Sequence, residues 1–197
     1  ERKKSGGAVA KFGFAGGDEM RRMKCQSLKP WEKGNGRNMS ANYCLNCGHA
    51  LETREIGGTE RRACPSCDFV HWGNYSIGVG ALVVRDGKVL LVRRAQDPGK
   101  GNWTNPGGYI EQLEPIAETI VREVQEETGV TARVKSVVAV RDLPRSVHNV
   151  YIAFAMEYVE GEPRPDGFEV DAAGFYSLEE MKEMKVAGFT QWLVNVA

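Results

Sequence analysis

Three carboxylates crowd into five residues of the stretch Arg122-Glu123-Val124-Gln125-Glu126-Glu127-Thr128-Gly129. Like charges three or four apart on a helix repel, at about a few tenths of a kcal/mol per pair, so their placement asks for a cause. At ~100° per residue, with Glu123 set to 0°, Glu127 falls near 40° and Glu126 near −60°. Ile120, Val124 and Ala117 fall beside them, between about 60° and 120°, as an apolar stripe. Such a helix can dock on a sheet and aim three acids along one edge. Oxygen-rich anionic clusters suit hard cations such as Mg2+ or Mn2+, which keep several waters and bridge to phosphates. The plainer alternative is a solvated acidic face. Arg122 lies on another part of the helix, where it can anchor the preceding loop through hydrogen bonds.

Sulfur chemistry comes earlier in the chain. Cys44 and Cys47, then Cys64 and Cys67, give C-x2-C-x16-C-x2-C, within the spacing of a four-thiolate zinc site. Four protein ligands leave a tetrahedral Zn2+ no open position, so the site is expected to be structural. It would fold a segment of about 30 residues that is too small to fold on its own core. Cys25 has no partner at such a spacing, and His49 and His71 are surplus to four thiolates.

The elements that must position these groups follow from patterning. YSIGVGALVV at 75–84 is β-rich, Asp86-Gly87 is a hairpin turn, and VLLVRR returns as a second strand. Residues 95–113 form a loop punctuated by Gly and Pro, and 114–128 read as a helix with Pro115 in its first turn and Gly129 at its C-cap. Strands are expected at 132–141, 148–158 and 172–176, with a Gly/Pro loop at 160–167. Ser177 with Glu180 makes a capping box for the next helix, and 188–197 form a last one. Strands alternating with helices in this order make an α+β fold whose helices cover a mixed sheet.

The 197 residues, 42% hydrophobic and 26% charged, leave room for one good-sized domain or two small ones. Net charge is zero, yet residues 1–39 hold ten Lys/Arg against four acids, leaving 16 against 22 elsewhere. Residues 1–40 therefore read as a flexible basic extension with no fold of its own. No apolar run approaches the ~18 residues of a membrane span, and none forms the apolar core of a secretory signal. The expectation is a cytoplasmic protein in which cysteines serve metal before disulfides.

From Gly108 the chain reads Gly, five residues, Glu114, seven residues, then Arg122-Glu123-Val124-Gln125-Glu126-Glu127-Thr128-Gly129-Val130. At every defined position this resembles the box of the Nudix hydrolase superfamily, G-x5-E-x7-R-E-U-x-E-E-x-G-U with U aliphatic. A solvated face does not account for Gly108, Glu114 and Gly129 at those offsets. Leu113 stands where many members have Gly, which leaves the path of the loop open. The resemblance covers residues 75–185 and implies an α/β/α sandwich with a mixed sheet at 73–197, preceded by a zinc ribbon at 41–72.

The resemblance also implies roles. Glu123, Glu127 and Glu126, with backbone at Gly107, would hold Mg2+ or Mn2+. Glu126 is the first choice of general base, with Glu111, Glu169 or Asp171 behind it. A bound cation neutralises phosphate charge and acidifies water, and a glutamate can take the remaining proton. The expected reaction is hydrolysis of a nucleoside diphosphate linked to another group. A four-cysteine ribbon ahead of the box resembles the branch holding NADH pyrophosphatases and smaller enzymes that attack ADP-ribose or FAD. NADH enzymes carry an SQPWPFP-like stretch after the box, whereas here the region reads RDLPRSVHNVYIAFAMEY, so ADP-ribose or FAD leads and NADH is secondary. Nucleoside triphosphates or dinucleoside polyphosphates are the alternative substrates. Candidate substrate contacts are Arg93, Arg94, Trp103, Arg141, Arg145, His148, Tyr151 and Glu169, though Trp103 could equally anchor its loop by packing. The partners expected are a nucleotide and, in assembly, a second copy of the chain. A ligand-sensing, nucleic-acid-binding regulator is the distant alternative, with few ribbon cations beyond Arg54, Arg61 and Arg62 to support it.

Overall fold

The structure, a computed structural model, describes residues 41–144 and 147–197. The basic segment at 1–40, Cys25 and Arg145 lie outside the described residues. Around the cysteine pairs, β1 (Glu52–Ile56), β2 (Thr59–Ala63) and β3 (Val70–His71) form an antiparallel three-stranded sheet. Leu51 is buried there between Cys44 and Cys64.

The predicted hairpin begins the main sheet. β4 (Tyr75–Arg85) turns through Asp86 and Gly87, both at positive φ (51° and 72°), into β5 (Lys88–Arg94). That is the primed turn whose twist suits a two-residue hairpin. The two strands stay paired only beside the turn, at Val84–Val89 and Arg85–Lys88. Beyond it β5 pairs with two other strands, β6 (Trp103–Thr104) on one side and β9 (Val170–Tyr176) on the other. The vacated edge of β4 is taken by the loop before the acidic helix. Val79 N–H donates to the Gly108 carbonyl at 2.8 Å, Ala81 N–H to Pro106 at 2.8 Å, and Ile110 N–H to Ile77 at 3.1 Å.

On its far edge β4 pairs in parallel with β8 (His148–Glu160), which pairs antiparallel with β7 (Thr131–Leu143). The order is β6-β5-β4-β8-β7 with β9 added to β5, a mixed sheet split between β4 and β5.

Alternate residues of β4 serve two cores. Val79, Ala81 and Val83 pack with Leu90, Phe154 and Met156 against Ile120 and Val124 of α1 (Ile116–Thr128). Leu82 faces the other way, with Val89 and Leu91, toward Met181 of α2 (Leu178–Lys182) and Val186, while Leu193 of α3 (Gly188–Val196) meets Ala139 and Ala153. The α/β/α sandwich with a mixed sheet is therefore present.

Local chemistry accounts for the ends of the helices. Ser177 and Glu180 form both bonds of the expected capping box, and Gly129 ends α1 at φ 68° with its N–H on the Gln125 carbonyl. Two details differ from expectation. Pro115 caps α1 in an extended conformation (ψ 135°) rather than lying inside it, because its carbonyl accepts the Thr119 N–H that opens the ladder. Ala117 is exposed, and the buried stripe is completed by Thr119 and Thr128 instead. Leu113 adopts φ 72°, the left-handed conformation that glycine takes freely, and is 94% exposed.

Candidate active site

Glu127 lies on α1 with its carboxylate against the loop that fills the vacated edge of β4. It is only 7% exposed, and its Oε2 accepts the Gly107 N–H at 2.9 Å. Burial pushes its carboxyl up to about 8, an effect that the Gly107 N–H opposes and the nearby charges of Glu123, Glu169 and Asp166 reinforce. Glu123 is raised for the same first reason, burial, which Arg122 opposes and Glu126 and Glu169 increase. Glu123 and Glu127 thus share a spot where burial disfavours the lone anion, with the exposed acids Glu169 and Asp166 nearby.

Glycine is required here by close approach. A Cβ on Gly107, whose φ is 155°, would lie 2.1 Å from the Val79 carbonyl oxygen. One on Gly108 would lie 2.4 Å from the Glu123 carboxylate. The Gly-Gly pair therefore lets backbone and carboxylate meet.

Arg122 is the hub that ties loop to helix. Its Nε and Nη2 donate to the two oxygens of Glu114 at 2.9 and 3.0 Å, a fork geometry that fixes the loop. Its Nη1 lies 2.8 Å from Glu126 Oε2 and 3.0 Å from Glu123 Oε1. The bond from Arg122 lowers the Glu114 carboxyl, and Glu114 in turn raises the guanidinium. Glu126 is drawn outward to Arg122 and remains exposed. The three box glutamates accordingly do not close to mutual ligand distance. Among the described residues the four cysteines are the one group of three or more such side chains whose ligand atoms all lie within 4.8 Å of one another.

Beside Gly107 and Glu127 opens a pocket of about 230 Å³ walled by Arg94, Arg141, Asn149, Tyr151 and Phe189. The Arg141 guanidinium lies 4.7 Å over the Phe189 ring, which meets Tyr151 edge-on at 5.1 Å. Asn105 Nδ2 donates to the Tyr151 hydroxyl at 3.0 Å, and Thr190 Oγ1 donates to Asn105 Oδ1 at 3.0 Å. Burial pushes the Tyr151 hydroxyl up to about 12. Arg94 donates to the Pro98 carbonyl at 2.9 Å. Among the described residues neither Arg94 nor Arg141 pairs with a carboxylate, unlike Arg93, whose Nε lies 2.6 Å from Asp171.

The sequence-derived candidates thus separate. Arg94, Arg141 and Tyr151 reach the pocket with Glu127 and Gly107, and Glu169 acts on both Glu123 and Glu127. Arg93 and Asp171 are engaged with each other. Trp103 packs edge-on against Tyr176 at 4.9 Å in the core under α2 and is absent from the pocket wall. His148 bonds Asp142 and faces Tyr75. Glu111 lines a separate groove. Sequence reasoning missed Asn105, Asn149, Asp166 and Phe189. Asn105 stood beside the Pro-Gly-Gly run as a readable cue, whereas nothing in the C-terminal segment marked Phe189.

At the other chemical centre, the Cys44 and Cys67 sulfurs lie 3.5 Å apart and those of Cys47 and Cys64 lie 3.4 Å apart. A tetrahedral ion with Zn–S bonds of ~2.3 Å needs sulfurs about 3.8 Å apart, so the thiol set fits with little movement. The Cys44 N–H donates to the His49 carbonyl at 2.8 Å and the Cys64 N–H to Phe69 at 2.9 Å, shaping two matching knuckles.

Comparison with known proteins bears on the whole arrangement. The ADP-ribose pyrophosphatase of Methanocaldococcus jannaschii is 34% identical over 114 residues, 55% of this chain and 66% of that protein. The NAD-capped RNA hydrolase NudC of Stutzerimonas stutzeri is 29% identical over 139 residues, 71% of this chain but only 49% of that protein. Among solved structures, a NUDIX hydrolase from Nitrosomonas europaea superposes with a TM-score of 0.68 at 27% identity, covering 78% of this chain and 88% of that one. The family model of the NUDIX domain matches residues 74–193. That match takes in all of the converging acids and most of the chain, which therefore belongs to the NUDIX domain family.

Proposed function

We propose that the chain hydrolyses the pyrophosphate bond of a nucleoside diphosphate linked to another group, an ADP-linked compound such as ADP-ribose or FAD, and releases AMP. One observation carries this reading. Buried Glu127, held by the Gly107 amide and flanked by Glu123, opens onto a pocket whose two arginines, Arg94 and Arg141, have no carboxylate partner among the described residues. Carboxylates at one end suit a divalent cation, and unpaired guanidiniums at the other suit phosphate. The ADP-ribose pyrophosphatase among the relatives favours the same substrate class. NAD-type dinucleotides are the second reading, favoured by the NudC relatives.

A divalent cation bound there supplies charge neutralisation and acidifies water near neutral pH. Glu123, Glu126, Glu127 and the Gly107 backbone would hold that cation. Arg122 keeps the loop in place through Glu114. The water oxygen would attack phosphorus as the bridging P–O bond breaks, with Glu126 taking the proton and Glu169 as the alternative acceptor. Arg94 and Arg141 orient the phosphates, and the Tyr151–Phe189 wall takes one half of the substrate. Cys44, Cys47, Cys64 and Cys67 of a ribbon at 41–72 would hold a structural Zn2+, with the hydrolase domain at 73–197. The chain has no helix long and apolar enough to cross a membrane among the described residues, and we place its work in the cytoplasm.

The testing experiment is a Mg2+ assay against ADP-ribose, FAD, NADH, diadenosine polyphosphates and ordinary or oxidised nucleoside triphosphates. AMP should appear from the ADP conjugates. Triphosphates cleaved far faster than every conjugate would overturn the substrate assignment.

A further inference from the structure

A second depression lies across the loop from the pocket, lined by Tyr75, Ile77, Tyr109, Leu113 and Glu111 among others, with a volume of about 560 Å³. Tyr109 lines both depressions, so the two adjoin at that residue. Its apolar side chains are unusually open to solvent: Tyr75 is 60% exposed, Tyr109 65% and Leu113 94%. Leu113 also holds φ 72°, a conformation that costs a side-chain-bearing residue energy and would cost glycine none. Leu113 is the third residue of a turn closed by the Glu114 N–H on the Glu111 carbonyl at 3.2 Å, a position that favours glycine, so an exposed leucine kept there is an outlier from which a function can be argued.

The charges around the groove restrict what can enter it. Among the described residues the lining contains no Lys or Arg; its acids are Glu111 and Glu114, the latter already bound by Arg122. That described lining offers a phosphate chain no cation, whereas it offers a flat uncharged or cationic ring tyrosine, isoleucine and leucine surfaces.

We infer that this groove binds the heteroaromatic ring of the non-adenylyl half of a dinucleotide such as FAD or NAD+, while the adenylyl half occupies the pocket. The inference rests on the pyrophosphatase reading. Leu113 keeps its strained conformation because its side chain covers one side of the ring.

The test compares kcat/KM for FAD, NAD+ and ADP-ribose, the last lacking the ring, in the wild type, Leu113→Gly and Tyr75→Ala. The preference for at least one ring-bearing substrate over ADP-ribose should fall by about tenfold in both variants, mainly through KM, the scale of losing an apolar contact in a specificity site. Leu113→Gly should lose this preference while gaining thermal stability, an outcome that a merely structural role does not produce. Cleavage of all three compounds with unchanged ratios in both variants would overturn the groove and leave the pyrophosphatase reading standing. Absence of Mg2+-dependent cleavage of every ADP conjugate by the wild type would overturn that reading, and this inference with it.

Discussion

Glu127 and Gly107 meet through a single backbone hydrogen bond of 2.9 Å, at a point where the carboxylate is almost wholly removed from solvent. Any side chain on Gly107 would strike the Val79 carbonyl. The bond holds a carboxylate in place before any cation arrives, which is the preorganisation that electrostatic catalysis requires.

The pH dependence of stability follows from the same pair. Unfolded, Glu127 loses its proton near 4.5; folded, it keeps that proton up to about 8. The resulting stabilisation is complete below the lower value and is lost as pH rises through the upper one. Glu123 has the same sign, whereas Glu114, lowered by Arg122, contributes stability above its unfolded value that is lost in acid. Metal-free protein should therefore lose stability between about pH 5 and 8, and Mg2+ should reverse the trend. Denaturation across that range checks it. Calorimetry in two buffers should also show proton release when Mg2+ binds at neutral pH, and a stability that rises through this window without metal would contradict the account.

Thr190→Val removes the hydroxyl that donates to Asn105, which is 3% exposed. An unsatisfied buried amide costs about 1–3 kcal/mol, and the loss should appear in chemical denaturation. Because Asn105 also holds the Tyr151 hydroxyl, KM should rise with little change in kcat. A variant as stable as the wild type would show that this network carries no load.

Elemental analysis of protein purified without added metal should find one zinc per chain. Cys64→Ser should lose that zinc and unfold β1–β3, since a segment this small lacks a sufficient core of its own, while the main sheet persists. A Cys44–Cys47 disulfide in reduced protein would contradict this.

The sequence made the box residues legible because their spacing is set by hard constraints: a helix repeat for the acids, close approach for Gly107 and Gly108, and a guanidinium fork for Arg122 and Glu114. The Asp86-Gly87 turn and the Ser177 capping box were readable for similarly local reasons. The divergence of β5 from β4 was not, because it arises from competition among β6, β9 and Pro106–Ile110 for strand edges far apart in sequence. Phe189 escaped notice because its approach to Arg141 and Tyr151 depends on how α3 packs. Trp103 had looked equally suited to stacking or packing, and its contact with Tyr176 places it in the core.

The central claim is that the buried carboxylates support hydrolysis of an ADP-linked pyrophosphate. The most direct measurement is chromatographic detection of AMP from ADP-ribose at saturating Mg2+, with wild-type protein and Glu127→Gln side by side. The wild type should release AMP and ribose phosphate. The variant should stay folded, because the change removes charge and almost no volume, and should turn over at less than about a tenth of the wild-type rate. A folded Glu127→Gln protein that releases AMP at a rate comparable to the wild type would contradict the account.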